Sequence, residues 1–294
     1  MLSEAFLKRL DALTLTLADA ARGASGGARR SRLLGTSAEF SDFREYAPGD
    51  DIRRIDWNAY ARFDRLFLKL FTEERETVLT VLLDASESMA LEGKWDAAVK
   101  AAEALLYLAL AGGDRARIVL LSEMPRESAV YSGRASYPRA AAFLAGARPE
   151  GKLLMDRALK RLPFPGGRGL CAVISDFLSE DGFDTGIAAL KFRGQSPMLL
   201  QVLSGQELNP AFEGALRLID SEDGREVRIQ AGSAAFQAYA RALQAFLSEV
   251  ARTASKYAAP RALLNASDDF EQTAMRVLVQ GGIAEIGRAS CRER

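Results

Sequence analysis

The chain alternates short, continuously apolar segments with segments of helical periodicity. Residues 78–83 read Val-Leu-Thr-Val-Leu-Leu, a run that is typical of a strand buried on both faces. Similar runs predict further strands at residues 116–121, 169–175, 198–203 and 262–264. Apolar positions three and four apart predict helices at residues 95–111, 139–144, 153–162, 185–192, 233–257 and 270–279. Strands that alternate with helices predict parallel βαβ units and a three-layer α/β sandwich with a mostly parallel central sheet.

The N-terminal part has a different pattern. Ser3 is a suitable N-cap for a helix over residues 4–21, and residues 23–32 are rich in Gly, Ser and Arg, as a loop would be. Residues 39–65 are polar with little periodicity and contain a Pro-Gly-Asp-Asp turn at 48–51, while residues 67–71 suggest a strand. We therefore expect residues 1–65 to form an extension of helix and polar loop that packs on a main domain.

The main domain is expected to span residues 66–284. Two strands at 215–219 and 226–229, joined by a turn at 222–224, predict a small β insertion in it. Residues 285–294 resemble a translated sequencing-adapter read-through, so we predict that this tail is not native and exclude it from the fold.

Charge and residue types exclude several classes of function. Lys plus Arg and Asp plus Glu both number 39 in the 294 residues, so no net charge draws the chain to nucleic acid or anionic lipid. There are no histidines, which excludes histidine triads, histidine zinc sites and histidine bases. Only Cys171 and Cys291 are present, so a disulfide framework is excluded, and Cys171 lies in an apolar run as an inert thiol would.

No targeting or membrane segment is recognisable in the sequence. Charged residues interrupt the apolar pattern at the N-terminus, and the most apolar stretch, residues 101–113, is shorter than the roughly 20 residues that a bilayer requires. We expect a cytoplasmic protein that meets a membrane at most peripherally, through its partners.

The candidate chemistry lies where the predicted strand at 78–83 ends. Asp84, Ser86 and Ser88 follow it directly, and in open parallel sheets ligands gather beyond the carboxyl ends of the strands. Three oxygens from one loop suit Mg²⁺ or Mn²⁺, and Asp176, after the strand at 169–175, is a further ligand candidate. The alternative is that these side chains only satisfy backbone N–H groups at a helix entry or a turn.

These motifs carry a family resemblance. The Asp-x-Ser-x-Ser string resembles the metal-ion-dependent adhesion site of von Willebrand factor A domains. The strings GTSAEF at 35–40 and REYAPGDDIRRIDWNAYAR at 44–62 are similar to a bacterial family, the domain of unknown function 58 family, over roughly residues 30–284. The resemblance implies a von Willebrand factor A-like fold and a non-catalytic interaction module. It also implies work with a MoxR-type AAA+ ATPase and its client proteins, in assembly or chaperone-like activation.

The sequence departs from the family pattern at one position. The resemblance implies a threonine near residue 152, but the chain reads Gly151-Lys152-Leu153. An ammonium there would repel a metal ion or take its place. Whether the site holds Mg²⁺ or Mn²⁺ therefore stays open at this point. The predicted partner-binding residues are Asp84, Ser86, Glu87, Ser88 and Lys152.

Two other functions stay open at this point. A metal-dependent hydrolase or phosphotransferase would use the same residues with the acidic loop at 50–56, although the sequence reveals no general base for it. A scaffold with a degenerate site would keep the fold and lose the ligand.

Overall fold

The computed structural model describes residues 2–15, 39–46, 52, 55–72, 78–164, 168–210, 214–219 and 226–286. The chain divides into a main unit, residues 1–25 and 77–294, and a small unit, residues 26–76. This division differs from the one expected from the sequence, which grouped residues 1–65. The packing of that extension on the main domain stays a prediction.

The regular elements are numbered in chain order. The strands are β1 (Leu13–Leu15), β2 (Glu39–Glu45), β3 (Phe67–Thr72), β4 (Val78–Asp84), β5 (Arg115–Leu121), β6 (Arg126–Glu127), β7 (Tyr131–Ser132), β8 (Gly169–Ser175), β9 (Gln195–Leu203), β10 (Gly214–Ile219), β11 (Glu226–Ala231), β12 (Arg261–Asn265) and β13 (Ala284–Ile286). The helices are α1 (Glu4–Leu10), α2 (Trp57–Phe63), α3 (Lys94–Gly112), α4 (Tyr137–Ala145), α5 (Met155–Arg161), α6 (Asp184–Phe192), α7 (Gly205–Leu208), α8 (Ser233–Lys256) and α9 (Phe270–Gln280). Short 3₁₀ turns span Glu87–Ala90 and Arg134–Ser136.

The main unit is built on one central sheet. Its strand order is β12-β9-β8-β4-β5-β6, and β7 also pairs with β5. The five strands from β12 to β5 are parallel, whereas β6 and β7 run antiparallel to β5. From β4 the chain moves to β5 on one side and later returns to β8 on the other, so the topological switch point lies between β4 and β8. The predicted three-layer α/β fold with a mostly parallel sheet is confirmed.

Apolar side chains cover both faces of this sheet. On one face, Leu83 and Ile174 belong to a cluster with residues of α1, α3 and α9. On the other, Leu82 and Val173 belong to a cluster with residues of α5, α6 and α8. Burying a side chain of this size contributes about 1.5–3 kcal/mol, which is why the central strands read as continuous apolar runs.

The N-terminal helix is shorter than predicted. Ser3 caps it as expected, since the Ser3 hydroxyl accepts from the Phe6 N–H at 3.1 Å. However, α1 ends at Leu10, and β1 pairs antiparallel with β13, placing Leu15 opposite Ala284. The alternation Leu-Thr-Leu at residues 13–15 buries both leucines in this pairing, so the helix prediction is wrong for those residues. Residues 16–21 lie outside the described residues.

The predicted foreign tail is only partly described. Glu285 and Ile286 belong to β13 and pair with β1, whereas residues 287–294 lie outside the described residues. The foreign origin of the tail stays a prediction.

The small unit contains elements that the polar pattern did not reveal. Strand β2 pairs antiparallel with β3, with an irregularity between Phe40 and Asp42. Helix α2 begins after Asp56, whose Oδ1 accepts from the N–H groups of Asn58 and Ala59 at 2.9 and 3.2 Å. The predicted loop at 23–32 and the turns at 48–51 and 222–224 lie outside the described residues. In the described parts of both units, no helix has the length and apolarity to cross a bilayer.

Candidate functional site

Asp84 is the last residue of β4, and its carboxylate lies beneath the surface with 3% of the residue exposed. Its Oδ1 accepts from the Ser86 N–H at 2.9 Å and from the Ser86 hydroxyl at 2.6 Å. Its Oδ2 accepts from the Ser175 hydroxyl at 2.5 Å. Neutral donors therefore hold both oxygens of this buried carboxylate.

The two serines of the motif extend this group of oxygens toward the surface. The hydroxyl oxygens of Ser86 and Ser88 lie 3.1 Å apart. Ser86 is buried, whereas Glu87 and Ser88 are half-buried. Ser86 precedes the 3₁₀ turn without capping it through its side chain. The structure thus brings Asp84, Ser86 and Ser88 together, with Ser88 outermost.

A neighbouring loop fixes the backbone of the motif. The Glu150 N–H donates to the Ala85 carbonyl at 2.7 Å, and the Glu87 N–H donates to the Gly151 carbonyl at 2.8 Å. Lys152 follows directly in this loop, and its ammonium pairs with Glu180 Oε1 at 2.5 Å. The position at which the resemblance expects a threonine therefore carries a lysine that is bound to the loop after β8.

Asp176, which follows β8, is equally buried but is held differently. Its Oδ1 accepts from the Leu178 N–H at 3.0 Å, and its Oδ2 contacts the ammonium of Lys94 at 2.9 Å. Lys94 is the first residue of α3, only 1% exposed, and its Nζ also lies 2.7 Å from Glu207 Oε1. The predicted ligand Asp176 is thus half of a buried ion pair with Lys94.

Lys94 and Glu207 are site residues that the sequence analysis missed. One signal was present: Lys94 opens a helix, where the helix dipole disfavours a cation, so its place needs another reason. Glu207 belongs to a capping box, in which Ser204 Oγ accepts from the Glu207 N–H at 3.1 Å and Glu207 Oε2 accepts from the Ser204 N–H at 2.6 Å. One carboxylate oxygen of Glu207 therefore completes the N-terminal cap of α7, and the other binds Lys94.

The electrostatic consequences differ between the two carboxylates. Burial, followed by the charge of Asp176, raises the pKa of Asp84 to about 6, although the hydrogen bonds from Ser175 and Ser86 oppose the rise. Burial acts to lower the pKa of Lys94, but Asp176 and Glu207 outweigh it and the pKa is raised. Lys94 is therefore a charged ammonium at neutral pH.

Asp84 on β4 and Ser175 on β8 form a row of polar side chains across the sheet, and Gln201 on β9 is the next residue of this polar row. It lies in register with Ser175, and the pairing of Leu83 with Ile174 places Asp84 beside Ser175. Gln201 is fully buried, and among the described residues neither its amide nitrogen nor its amide oxygen has a hydrogen-bond partner. The sequence hint was a single amide inside the apolar run at 198–203.

The donor set fits a divalent ion poorly. Mg²⁺ and Mn²⁺ take oxygen ligands from carboxylates, hydroxyls and water. Here Asp84 is bound by three donors, Asp176 is bound to an ammonium, and Lys152 stands where a hydroxyl was expected. Within the described ranges, no group of three or more His, Cys, Asp or Glu residues is placed to hold a metal.

Comparisons with known proteins identify relatives that cover most of the chain. Residues 42–246 match the family described as Protein of unknown function DUF58. Uncharacterized proteins from Mycobacterium bovis and Mycobacterium tuberculosis are 30% identical over 277 residues, which cover 89% of this chain and 85% of theirs.

Solved structures resemble parts of the chain. The conserved hypothetical protein BatB from Bacteroides thetaiotaomicron is 14% identical with a TM-score of 0.42, over 70% of this chain and 98% of that one. A von Willebrand factor type A protein from Catenulispora acidiphila is 18% identical with a TM-score of 0.37, over 44% of this chain and 33% of that one.

Proposed function

The chain belongs to the DUF58 family and has a von Willebrand factor A-like α/β fold, and from this premise we propose that it is a non-catalytic protein-interaction module. The docking face is the carboxyl edge of the sheet around Asp84, Ser86 and Ser88. The observation that carries the proposal is the convergence of these oxygens at the switch point between β4 and β8, where open α/β sheets bind their ligands.

Burial divides the predicted partner-binding residues into two groups. Glu87, Ser88 and Lys152 are half-buried and form the part of the face that meets a partner. Asp84 and Ser86 lie beneath them, so we assign both a positioning role. Leu178, 50% exposed on the loop after β8, adds an apolar contact at the same edge.

Two observations support a role in binding without catalysis. The sequence contains no histidine, so the commonest general base is missing. Burial raises the pKa of the Cys171 thiol far above its usual range, and that thiol is not a nucleophile in this state. Purified protein with Mg²⁺ should therefore leave phosphoesters and nucleotides intact, and turnover that Asp84→Ala abolishes would refute the assignment.

The partner we propose is a MoxR-type AAA+ ATPase, through which the protein acts on client proteins in assembly or activation. This partner follows from what family membership implies. The site suits the role because hydrogen bonds from Glu150 to Ala85 and from Glu87 to Gly151 fix the backbone of the motif after β4.

Capture of the ATPase from the same organism tests the face and the partner together. Immobilised wild type should retain it, Asp84→Ala should reduce capture about tenfold, which corresponds to about 1.4 kcal/mol, and Ser88→Ala should have a smaller effect. Ser248→Ala, at an exposed position of α8, is the matched control and should bind like wild type. Equal capture by wild type and Asp84→Ala would remove this face from the mechanism, and no capture by wild type would reject the partner.

A further inference from the structure

We propose that the ammonium of Lys94 is the resident cation of this site, so that the Asp84–Ser86–Ser88 face works without a divalent metal ion. The inference deepens the proposed function, because it states how the same face is held. Its metal-independent part does not depend on the identity of the partner.

The first step is the position of the ammonium. Lys94 Nζ lies 2.9 Å from Asp176 Oδ2 and 2.7 Å from Glu207 Oε1, and 1% of the residue is exposed. A buried charge persists only when it is paired and hydrogen-bonded. Lys94 satisfies that condition with the carboxylates of Asp176 and Glu207. Asp176 follows β8, the neighbour of the strand β4 that ends at Asp84.

The second step concerns Asp176. The Leu178 N–H occupies its Oδ1 and Lys94 occupies its Oδ2. A metal that took Asp176 as a ligand would have to break a buried ion pair and leave the ammonium with Glu207 alone. Removing one partner of a buried pair is strongly unfavourable, because the other charge stays in a low-dielectric environment.

The third step concerns like charges. An ion that took Asp176 as a ligand together with Asp84 would lie close to the Lys94 ammonium, which contacts Asp176 Oδ2 at 2.9 Å. Repulsion between cations is weakly screened at buried sites. Lys152, in the position where the resemblance implies a threonine, carries an ammonium that pairs with Glu180 and offers no hydroxyl ligand. One lysine has therefore replaced an expected ligand, and another has engaged the second carboxylate.

A lysine differs from a metal ion because it cannot dissociate. Lys94 is the first residue of α3, and Glu207 completes the capping box at the start of α7. The contacts of Lys94 with Glu207 and Asp176 therefore tie two helix starts to the end of β8. The cost of placing a cation at a helix N-terminus is offset by the two carboxylates. The geometry of the face is thus independent of the metal supply around the protein.

Metal titration of the whole chain tests the inference. Wild type should show no heat in calorimetry with Mg²⁺, Mn²⁺ or Ca²⁺, and its melting temperature should be the same in EDTA and in millimolar metal. Lys94→Met should melt lower in EDTA and recover several degrees, about 4 °C or more, with Mn²⁺, because Asp176 and Glu207 are then left without their cation. Lys100→Met, which removes a half-buried lysine paired with the exposed Asp96 on the same helix, is the control and should show neither effect.

Two results would overturn the inference. One is metal binding by wild type below millimolar concentration, and the other is a Lys94→Met variant that folds and has the same melting temperature with and without metal. If Lys94→Met does not fold, the wild-type titration decides alone. The proposed function fails separately, since a wild type that ignores metal and also fails to capture the ATPase would reject the partner and keep Lys94 as the resident cation.

Discussion

Asp84 and Asp176 lie at the ends of neighbouring parallel strands and are equally buried, yet their surroundings differ in one respect. Hydroxyl groups and a backbone N–H hold Asp84, whereas an ammonium holds one oxygen of Asp176. Asp84 therefore retains an uncompensated charge, which its raised pKa reports. The charge of Asp176 is instead paired with the ammonium of Lys94 inside the fold.

This difference separates a functional half of the site from a structural half. An uncompensated buried carboxylate lowers stability and is kept where it serves another purpose, such as orienting Ser86 and Ser88. A carboxylate paired with a buried lysine fixes the relative positions of its elements. Substitutions in the two halves should accordingly change the free energy of unfolding in opposite directions.

The largest expected effect follows from breaking the structural half. Lys94→Met leaves the buried Asp176 and the half-buried Glu207 without their cation, so the free energy of unfolding should fall by about 3–5 kcal/mol. Urea unfolding at pH 7 in EDTA measures it. The pair of the half-buried Lys100 with the exposed Asp96 on α3 provides the comparison, since Lys100→Met should cost less than about 0.5 kcal/mol. A Lys94→Met variant as stable as Lys100→Met would show that the buried pair contributes nothing.

Removing the charge of Asp84 should have the opposite sign. Its pKa is raised from 3.8 to about 6, so the folded state binds the proton more tightly than the unfolded state. The stability from this protonation is fully present below pH 3.8 and is lost as the pH rises through 6. Asn carries no charge at any pH, so Asp84→Asn avoids the cost of a buried charged carboxylate at pH 7. The free energy of unfolding should rise there by up to about 3 kcal/mol, since one pKa unit corresponds to about 1.36 kcal/mol. Urea unfolding of both proteins from pH 4 to 7.5 measures the difference.

Asp114 provides the control for this prediction. Burial alone also raises its pKa to about 6, but it lies before β5, at the opposite edge of the sheet from Asp84. Asp114→Asn should therefore show a pH-dependent gain of the same sign and leave capture of the ATPase unchanged. A flat difference between wild type and Asp84→Asn over this pH range would contradict the prediction.

The sequence revealed one half of this site and concealed the other for a physical reason. The continuous apolar runs predicted β4 and β8, and the position of Asp84 after such a run predicted its place at the sheet edge. Lys94 and Glu207 are 113 residues apart, and no local pattern indicates that they meet. The same limit explains the N-terminal error, because β1 is a strand only through its pairing with β13, some 270 residues away.

In the small unit, the strand predicted at 67–71 corresponds to β3, but β2 and α2 were missed because their signals are local and weak. Strand β2 reads Glu-Phe-Ser-Asp-Phe-Arg-Glu, which lacks the apolar run of a buried strand. Helix α2 has only seven residues, and its clearest signal was the Asp56 N-cap. The buried strands of the central sheet could be predicted, whereas β1, β2 and α2, which depend on one cap or one partner strand, could not.

The smallest effect is expected at Gln201, where the polar row from Asp84 through Ser175 ends. An amide that is buried without a partner costs free energy, and replacing it with an apolar side chain of similar size is neutral or favourable. Gln201→Leu should therefore leave the free energy of unfolding unchanged or raise it by about 1 kcal/mol. Thr80→Val is the matched control, because Thr80 Oγ1 accepts from the buried Arg117 Nε at 3.1 Å and its loss should cost about 1–2 kcal/mol. A loss of stability in Gln201→Leu as large as that in Thr80→Val would mean that the amide is satisfied in solution by a bound water, and the row would then extend the functional half of the site across three strands.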